Sequence, residues 1–332
     1  MAKVDIVVPC YNYGRFLAAC VASVLNQSIA DLRVLIIDDA STDNSVSVAR
    51  TLAQDDPRVS VIAHSRNCGH IETYNEGIAA ASADYFLLLS ADDMLVPGAL
   101  QRAIEVMDAN PDVVLTYGDC IAWFDELPAP VIDPTETYSW TRRDLIAEMC
   151  ATATNFVPTP TTIARTHVQK AIGGYRKPLP HAGDMEMWLR FAANGSVARI
   201  DAVQAIYRKH AAAMSNAYFT SMLSDYRQVQ LAFDSFFDEY NDRISNPRSL
   251  RAVARRTLAA RIFRHGIGLI RRGQIKPGAQ LIRCAMDIDH RLRYFPPLWQ
   301  ILKIPGAAGQ DWARSVLAEA TARFRKPKGS AF

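Results

Sequence analysis

What this sequence lacks narrows it first. Its six cysteines (Cys10, Cys20, Cys68, Cys120, Cys150 and Cys284) stand far apart, with no CxxC pair and no Cys/His cluster. Neither a zinc site nor a dense disulfide framework is expected, and a reducing compartment is the simpler reading. No GxGxxG and no GxxxxGK[ST] occurs, which argues against a dinucleotide fingerprint and a P-loop. No uninterrupted apolar run is long enough to span a membrane, and the opening MAKVDIVVPCYN has neither the basic nor the long apolar region of a signal peptide. A cytoplasmic protein is therefore expected. Disorder is not: 332 residues, 49% hydrophobic and 21% charged, supply apolar surface for one large or two moderate domains.

The net charge of +3 hides a division. Residues 1 to 247 hold 19 basic against 30 acidic residues, a net of −11, and residues 248 to 332 hold 18 against 4, a net of +14. Such asymmetry predicts different partners for the two parts. Basic charge permits nucleic-acid binding, but no recognised module accompanies it, so no nucleic-acid partner is expected.

The first half alternates between the two periodicities of secondary structure. VDIVVP is a short apolar strand, and FLAACVASVLNQ places Phe16, Leu17, Cys20, Val21, Val24 and Leu25 at helical spacing. RVLIIDD, RVSVIAH, DYFLLLS and DVVLTYGD read as further strands. Between them lie STDNSVSVARTLA, with Ser41 as N-cap and Asp43 in its first turn, HIETYNEGIAAAS, and PGALQRAIEVMDA begun by Pro97. This order predicts an α/β fold with a mostly parallel central sheet and helices on both faces.

Polar residues then recur at one kind of place. Asn12 follows the first strand, Asp38 and Asp39 end the second, Asn67 and Gly69 follow the third, and Asp92 and Asp93 end the fourth. Carboxyl ends of strands form the ligand crevice of open α/β sheets. Asparagines and amides there can hold a base and ribose, while the last acids hold a divalent cation against phosphate oxygens. Each residue alone also reads as a turn former.

The stretches VDIVVPCYNYGRFLAACVASVLNQS, IIDDASTDNS, NCGHIETYNEGIAAASADYFLLLSADD and GDMEMWLR together resemble the ordered motifs of the family 2 glycosyltransferases, across about residues 3 to 216. The resemblance implies the GT-A nucleotide-diphospho-sugar transferase fold, a nucleotide-sugar donor, a Mn or Mg ion on the diphosphate, and inversion by a carboxylate base. On this pattern Pro9, Tyr11 and Asn12 match the base-binding motif, and Asp39 matches the acid that pairs with uracil or thymine. Asp38 is the alternative that only caps the loop. Asn67 and Gly69 match the nucleotide-side loop. Ser90, Ala91 and Asp92 stand at the metal motif, with Ser90 where an acid is common, so Asp92 is the first choice as ligand and Asp93 shares the role. Arg208 and His210 match an arginine and a histidine near the diphosphate, His210 as a metal ligand. Arg208 or Lys209 would offset charge on the leaving diphosphate.

LPHAGDMEMWLRFAANG carries Met187, Trp188 and Phe191 at helical spacing from Asp184. An ionised carboxylate at a helix start can take a proton from an attacking hydroxyl, and it can equally be a plain N-cap. By resemblance Asp184 is the base, Glu186 the following acid, and Gly183 stands where another acid is usual. His181 is placed to touch acceptor hydroxyls.

The expected organisation is a catalytic domain over 1–216, its nucleotide-sugar half about 1–120 and its acceptor half about 121–216, then a basic helical region over 217–332. Ile121 to Thr162 reads as irregular, with Pro128, Pro130, Pro134, Pro158 and Pro160. In the tail Leu250, Val253, Ala254, Leu258, Ile262 and Ile267 share a face opposite Arg251, Arg255 and Arg264. Two readings fit: a peripheral helix on the inner, anionic membrane face with RYFPPLWQILKIPG as aromatic anchors, or a helical hairpin packed on the catalytic domain or in a homodimer. The expected reaction is sugar transfer from a UDP- or dTDP-sugar to a hydroxyl of a saccharide or lipid-linked saccharide acceptor, in cell-surface polysaccharide synthesis. The rival is a nucleotide-sugar-binding scaffold without turnover.

Overall fold

A computed structural model describes residues 3–124, 130, 132, 137–214 and 222–294. In chain order these form β1 (Val4–Cys10), α1 (Gly14–Leu25), β2 (Leu32–Asp38), α2 (Ser45–Asp55), β3 (Val59–Ala63), α3 (His70–Ala80), β4 (Tyr85–Leu88), β5 (Met94–Leu95), α4 (Ala99–Ala109) and β6 (Val113–Phe124). After them come β7 (Trp140–Arg143), α5 (Leu145–Thr152), β8 (Ile163–Arg165), α6 (Thr166–Ile172), α7 (Gly183–Ala192), β9 (Ser196–Lys209), α8 (Met222–Tyr240), α9 (Pro247–Arg271) and α10 (Ile275–Ile288).

The strands lie side by side as β3-β2-β1-β4-β8-β6-β9-β5, with β7 also on β9. β1 is parallel to β2 and β4, and β2 to β3. Beyond β4 the sheet is mixed: β8 is antiparallel to both neighbours, β6 parallel to β9, and β5 and β7 antiparallel to β9. The parallel expectation therefore holds for the first four strands, where helical crossovers return the chain, and not for short strands that join the sheet without one.

Alternation along each strand builds two apolar layers. Ile6, Val8, Val34, Ile36 and Leu87 pack with α1 and α4 on one face, and Val7, Ile37, Phe86 and Leu88 pack with α3, α6 and α7 on the other. Two helix starts differ from expectation. α2 begins at Ser45, because Ser41 is held by Asp38 in the preceding loop, and α4 begins after Gly98 in the left-handed region, with Pro97 outside it. The 121–162 segment is more ordered than its prolines suggest: β7 runs along β9, α5 is capped by Asp144, and Thr159–Thr161 form a 3-10 turn. Pro128 and Pro134 lie outside the described residues.

The C-terminal helices belong to the same core. Ala254, Leu258, Ile262 and Ile267 of α9 are buried with Leu145, Met149 and Cys150 of α5 and with Leu281 and Ile282 of α10. Four of the six residues of that apolar stripe are thus buried inside the chain, with Leu250 and Val253 half-buried, which favours the packed-hairpin reading. α9 and α10 approach closely at a glycine pair: a Cβ on Gly266 would meet the Gly278 carbonyl at 2.8 Å, and one on Gly278 would meet the Gly266 carbonyl at 2.6 Å. Among the described residues no helix is long and apolar enough to cross a membrane. The boundary expected at 216/217 and nearly all of the proposed aromatic anchors lie outside the described residues.

Candidate active site

Parallel register brings the carboxyl ends of β1, β2 and β4 to one edge. Cys10 pairs with Asp38 and Val7 with Leu88, and beyond the strands the Ala91 amide donates to the Pro9 carbonyl at 3.3 Å. Tyr11 is exposed there. Asn12 adopts a left-handed backbone (φ 58°), a conformation that Asn tolerates. Its amide donates to the Ser41 hydroxyl (2.8 Å) and its Oδ1 accepts from the Thr42 amide (2.7 Å), tying the β1 and β2 loops together.

The two adjacent acids after β2 diverge. Asp38 is fully buried and accepts from the Ser41 amide and hydroxyl (2.9 and 2.6 Å), a loop-capping task. Asp39 turns toward the third loop. Its Oδ1 meets the Cys68 amide at 2.7 Å and His64 Nδ1 at 2.8 Å, and its Oδ2 accepts from the Gly69 amide at 2.8 Å. Burial works against this charge, but the Cys68 amide, His64 and the Gly69 amide outweigh it and hold the carboxyl below the usual carboxylate range. Asn67 locks the loop by donating to the Asp39 carbonyl (3.1 Å), and Gly69, at φ 86°, starts α3 in a backbone region that glycine alone enters freely.

His64 spans two acids, Asp39 at 2.8 Å and Glu76 Oε2 at 2.7 Å, and both can only accept, so both ring nitrogens carry protons. Its pKa is accordingly raised, chiefly by Asp39. Beside this corner opens a cavity of about 700 Å³ lined by Asn67, Glu72, Asn75 and Glu76 among others. Asp39, His64 and Cys68 are the group of three potential metal ligands found within 4.8 Å of one another among the described residues. In that trio each ring nitrogen of His64 already faces a carboxylate, so the imidazole offers a cation no lone pair.

The second corner is built by the short pairing of β5 with β9, which sets Met94 against Ile206. It carries the turn Ala91–Asp93 onto the end of β9. Asp92 Oδ2 lies 3.1 Å from His210 Nε2, across 118 residues of sequence, and Asp92 Oδ1 accepts from the Ser90 hydroxyl at 2.5 Å. Asp93 turns to the neighbouring backbone, where its Oδ1 accepts from the Arg208 amide at 3.1 Å. Burial first and the Asp92 charge second push its pKa well up. The Arg208 guanidinium donates to the Asp92 carbonyl (3.0 Å) and lies over the rings of Phe16 (4.7 Å) and Trp123 (4.3 Å), which fixes it beneath the turn. Tyr13 and Phe16 pack on the His210 ring at 5.5 and 4.6 Å.

The third corner is the start of α7. Asp184 Oδ2 accepts from the Thr159 hydroxyl at 2.7 Å, and Tyr175 hydrogen-bonds to the same carboxyl. Burial raises its pKa against these bonds and the nearby His70. His70 donates through Nε2 to the Pro180 carbonyl (3.2 Å) and burial lowers its pKa, so a neutral imidazole stands beside the Asp184 loop. Gly69 and His70 are consecutive, so the Asp39 corner and the Asp184 corner meet at the N-terminus of α3. Glu186 is different: fully buried, it is held by Arg190 Nε at 2.9 Å and Arg176 Nε at 2.8 Å. A Cβ on Gly183 would lie 3.1 Å from the Tyr175 ring, so the acid absent there has been replaced by room for that ring. His181 faces Asp225 of α8 at 3.4 Å. Thr159, Tyr175, His64, His70, Tyr13 and Phe16 were not picked out as site residues from the sequence. A lone Thr or Tyr in an irregular stretch carries no signal, whereas His64, closing the third strand, and His70, opening α3, stand at the same carboxyl edge as the residues that were found.

The sequence model described as Glycosyl transferase family 2 matches residues 5–150. An uncharacterised glycosyltransferase of Haemophilus influenzae is 25% identical over 222 residues, 65% of this chain and 68% of that protein. An uncharacterised glycosyltransferase of Nostoc is 38% identical over 112 residues, but the match spans only 34% of each chain. Among solved structures, residues 1–349 of Staphylococcus aureus TarS in complex with UDP-GlcNAc superpose with a TM-score of 0.64 at 17% identity, covering 99% of this chain and 94% of that one. A mannosyltransferase of Pyrobaculum calidifontis in complex with GDP-Man and Mn superposes with a TM-score of 0.56 at 15% identity, covering 98% and 88%. These structural likenesses show the fold, a GT-A glycosyltransferase architecture with C-terminal helices.

Proposed function

Residues 5–150 belong to glycosyl transferase family 2, and from that premise we propose that the chain is an inverting enzyme that moves a sugar from a UDP- or dTDP-sugar to a hydroxyl of a saccharide or lipid-linked saccharide acceptor. Cell-surface polysaccharide synthesis is the setting that this acceptor class implies. The observation that carries the reading is the Asp92–His210 pair, 3.1 Å apart at the carboxyl edge. A carboxylate oxygen and an imidazole nitrogen converging at a strand exit suit a Mn or Mg ion whose other ligands are diphosphate and water. The bound ion would neutralise charge on the departing nucleoside diphosphate.

The chain's own residues do the rest. Asp39, braced by the 68–69 amides, faces the base, Asn12 and Asn67 hold the surrounding loops, and Arg208 keeps the Asp92 turn in place. Asp184 takes the proton of the acceptor hydroxyl as its oxygen bonds to the anomeric carbon and the bond to the diphosphate oxygen breaks. A carboxyl whose pKa burial has raised is a stronger base once ionised. The test is calorimetric titration with UDP, dTDP, GDP and CDP, each with Mn, with Mg and with chelator, repeated on Asp92→Ala. Metal-dependent binding of one pyrimidine diphosphate, lost in the variant, is expected. Binding that is indifferent to metal and to Asp92→Ala would remove the metal site, and no binding at all would remove the donor reading.

A further inference from the structure

A second concave site lies on the basic C-terminal helices, apart from the carboxyl edge of the sheet. A cavity of about 370 Å³ is lined by Tyr226 of α8 and by Arg261, Arg264, His265, Gly268 and Arg272 along α9 and its C-cap. The spacing explains the shape. Positions 261, 264, 265, 268 and 272 share one face of an α-helix, and glycine stands in the middle of that stripe. A Cβ on Gly268 would meet nothing within 4 Å, so the dent is open above the helix backbone. Arg264 and Arg272 flank it, about 12 Å apart along the axis at 1.5 Å per residue.

The walls are fixed while the cations are available. Arg261 is anchored at the end of α5 through the carbonyl of Ala153 and the Thr154 hydroxyl at 2.5 Å. Tyr226 is hydrogen-bonded to His265 Nδ1 at 2.9 Å, with the rings edge to face at 6.0 Å. Arg264 is exposed, as are His265 and Arg272. Among the described residues no acid is paired with Arg264 or Arg272, whereas Arg251 near the start of the same helix is closed by Asp234 and Asp238. The helix dipole accounts for a cation at Arg272 in the last turn, but not for Arg261 and Arg264 two to three turns upstream.

We propose that this pocket binds a phosphate-bearing anion, a diphosphate or a phosphate monoester. The two forked guanidiniums suit phosphate oxygens bidentately, and a dianion matches their charge better than a single carboxylate does. That chemistry has two sources, a soluble phosphate compound and the headgroup of an anionic lipid.

The experiment uses the full chain, stripped of metal. Inorganic pyrophosphate is titrated calorimetrically into wild type, Arg264→Gln/Arg272→Gln and Gly268→Leu. The same proteins are floated with phosphatidylcholine vesicles with and without phosphatidic acid. Gly268→Leu fills the dent without touching a charge, and it replaces a poor helix former in open space, so it folds at least as well as wild type. Pyrophosphate affinity is expected to fall at least about tenfold in both variants, in Arg264→Gln/Arg272→Gln through lost charge-assisted bonds and in Gly268→Leu because the leucine side chain occupies the space of the anion. If vesicle binding falls in parallel, the natural ligand is a lipid headgroup; if it does not change, the ligand is soluble. Pyrophosphate binding equal in all three proteins, or absent from wild type, overturns the proposal while leaving the donor site at Asp92 untouched.

Discussion

Two acids share the first turn of α7, and their surroundings assign them opposite tasks that paired substitutions can separate. Glu186 is sealed between Arg190 and Arg176. In Glu186→Gln the Arg190 charge stays buried with less to balance it, a loss of about 3–5 kcal/mol for a broken buried pair. The lower end applies, because Arg190 keeps the carbonyls of Ile172 and Gly174 and Arg176 is partly exposed and also pairs with Glu239. Against a total stability of about 5–15 kcal/mol that is a large shift. Asp184 behaves in reverse. Its folded pKa is raised above the ordinary 3.8, so its protonated form contributes stability that is present below that value and lost as pH rises through the folded pKa. At neutral pH the ionised group is a cost that Asp184→Asn removes. The asparagine keeps an acceptor for Thr159, so stability holds or rises while the base is lost, and slow hydrolysis of the donor falls by about 10²–10⁴. Urea unfolding followed by the fluorescence of Trp188, buried in the same helix, gives the first readout, and nucleotide release gives the second. Turnover within about tenfold of wild type in Asp184→Asn would refute the assignment. So would a Glu186→Gln protein of undiminished stability that has lost turnover. Replacing both partners, as in Glu186→Leu/Arg190→Met, is expected to recover much of the stability, since no unpaired charge is left buried.

Three further outcomes are expected. Asp93→Asn retains metal-dependent nucleotide binding, because the amide oxygen can still accept from the Arg208 amide, whereas Asp92→Asn loses it; equal calorimetric losses would show that both acids hold the ion. The His64 clamp is pH-sensitive with a definite sign. The raised histidine contributes stability that is full below about 6.5 and lost as pH rises through its elevated pKa, while the depressed Asp39 carboxyl loses its contribution only as pH falls below 3.8. Thermal unfolding of wild type above neutral pH should therefore decline more steeply than that of His64→Gln, and superimposable curves would falsify the clamp. In α9, Gly266→Ala drives a Cβ to 2.8 Å from the Gly278 carbonyl and should cost about 1–3 kcal/mol, whereas Gly268→Ala, in open space, should gain about 1 kcal/mol; urea midpoints moving together would contradict the close crossing.

The first half of the chain was legible because its signals are local. Burial on both faces writes continuous apolar strands, helices write a 3.6-residue stripe, and turn chemistry marks the carboxyl ends, so Asn12, Asp39, Asn67 and Asp92 stood out one element at a time. What stayed hidden is set by pairing across long sequence separations. Nothing near Glu186 announces that Arg176 will close over it, nothing in TPT announces that Thr159 will donate to Asp184, and β5 is two residues long. The amphipathic tail shows the same limit from the other side: its apolar face was visible, but the sequence leaves its partner open between a membrane, the catalytic domain and a second subunit, and the fold buries much of it against α5 and α10.

Ser90 shows how the long-range information changes the meaning of a local departure. In the sequence it is a missing acid and weakens the metal reading. In the fold its hydroxyl donates to Asp92 Oδ1 while His210 meets Oδ2, so the carboxylate is oriented from both sides. A second acid at 90 would add a negative charge beside Asp92 and next to the buried Asp93, whose pKa the Asp92 charge already raises. On the proposed metal reading, the serine therefore trades a second ligand for a fixed rotamer on Asp92. The proposed site would then bind a cation less strongly on its own and depend more on the diphosphate to complete the coordination, which would couple metal binding to donor binding.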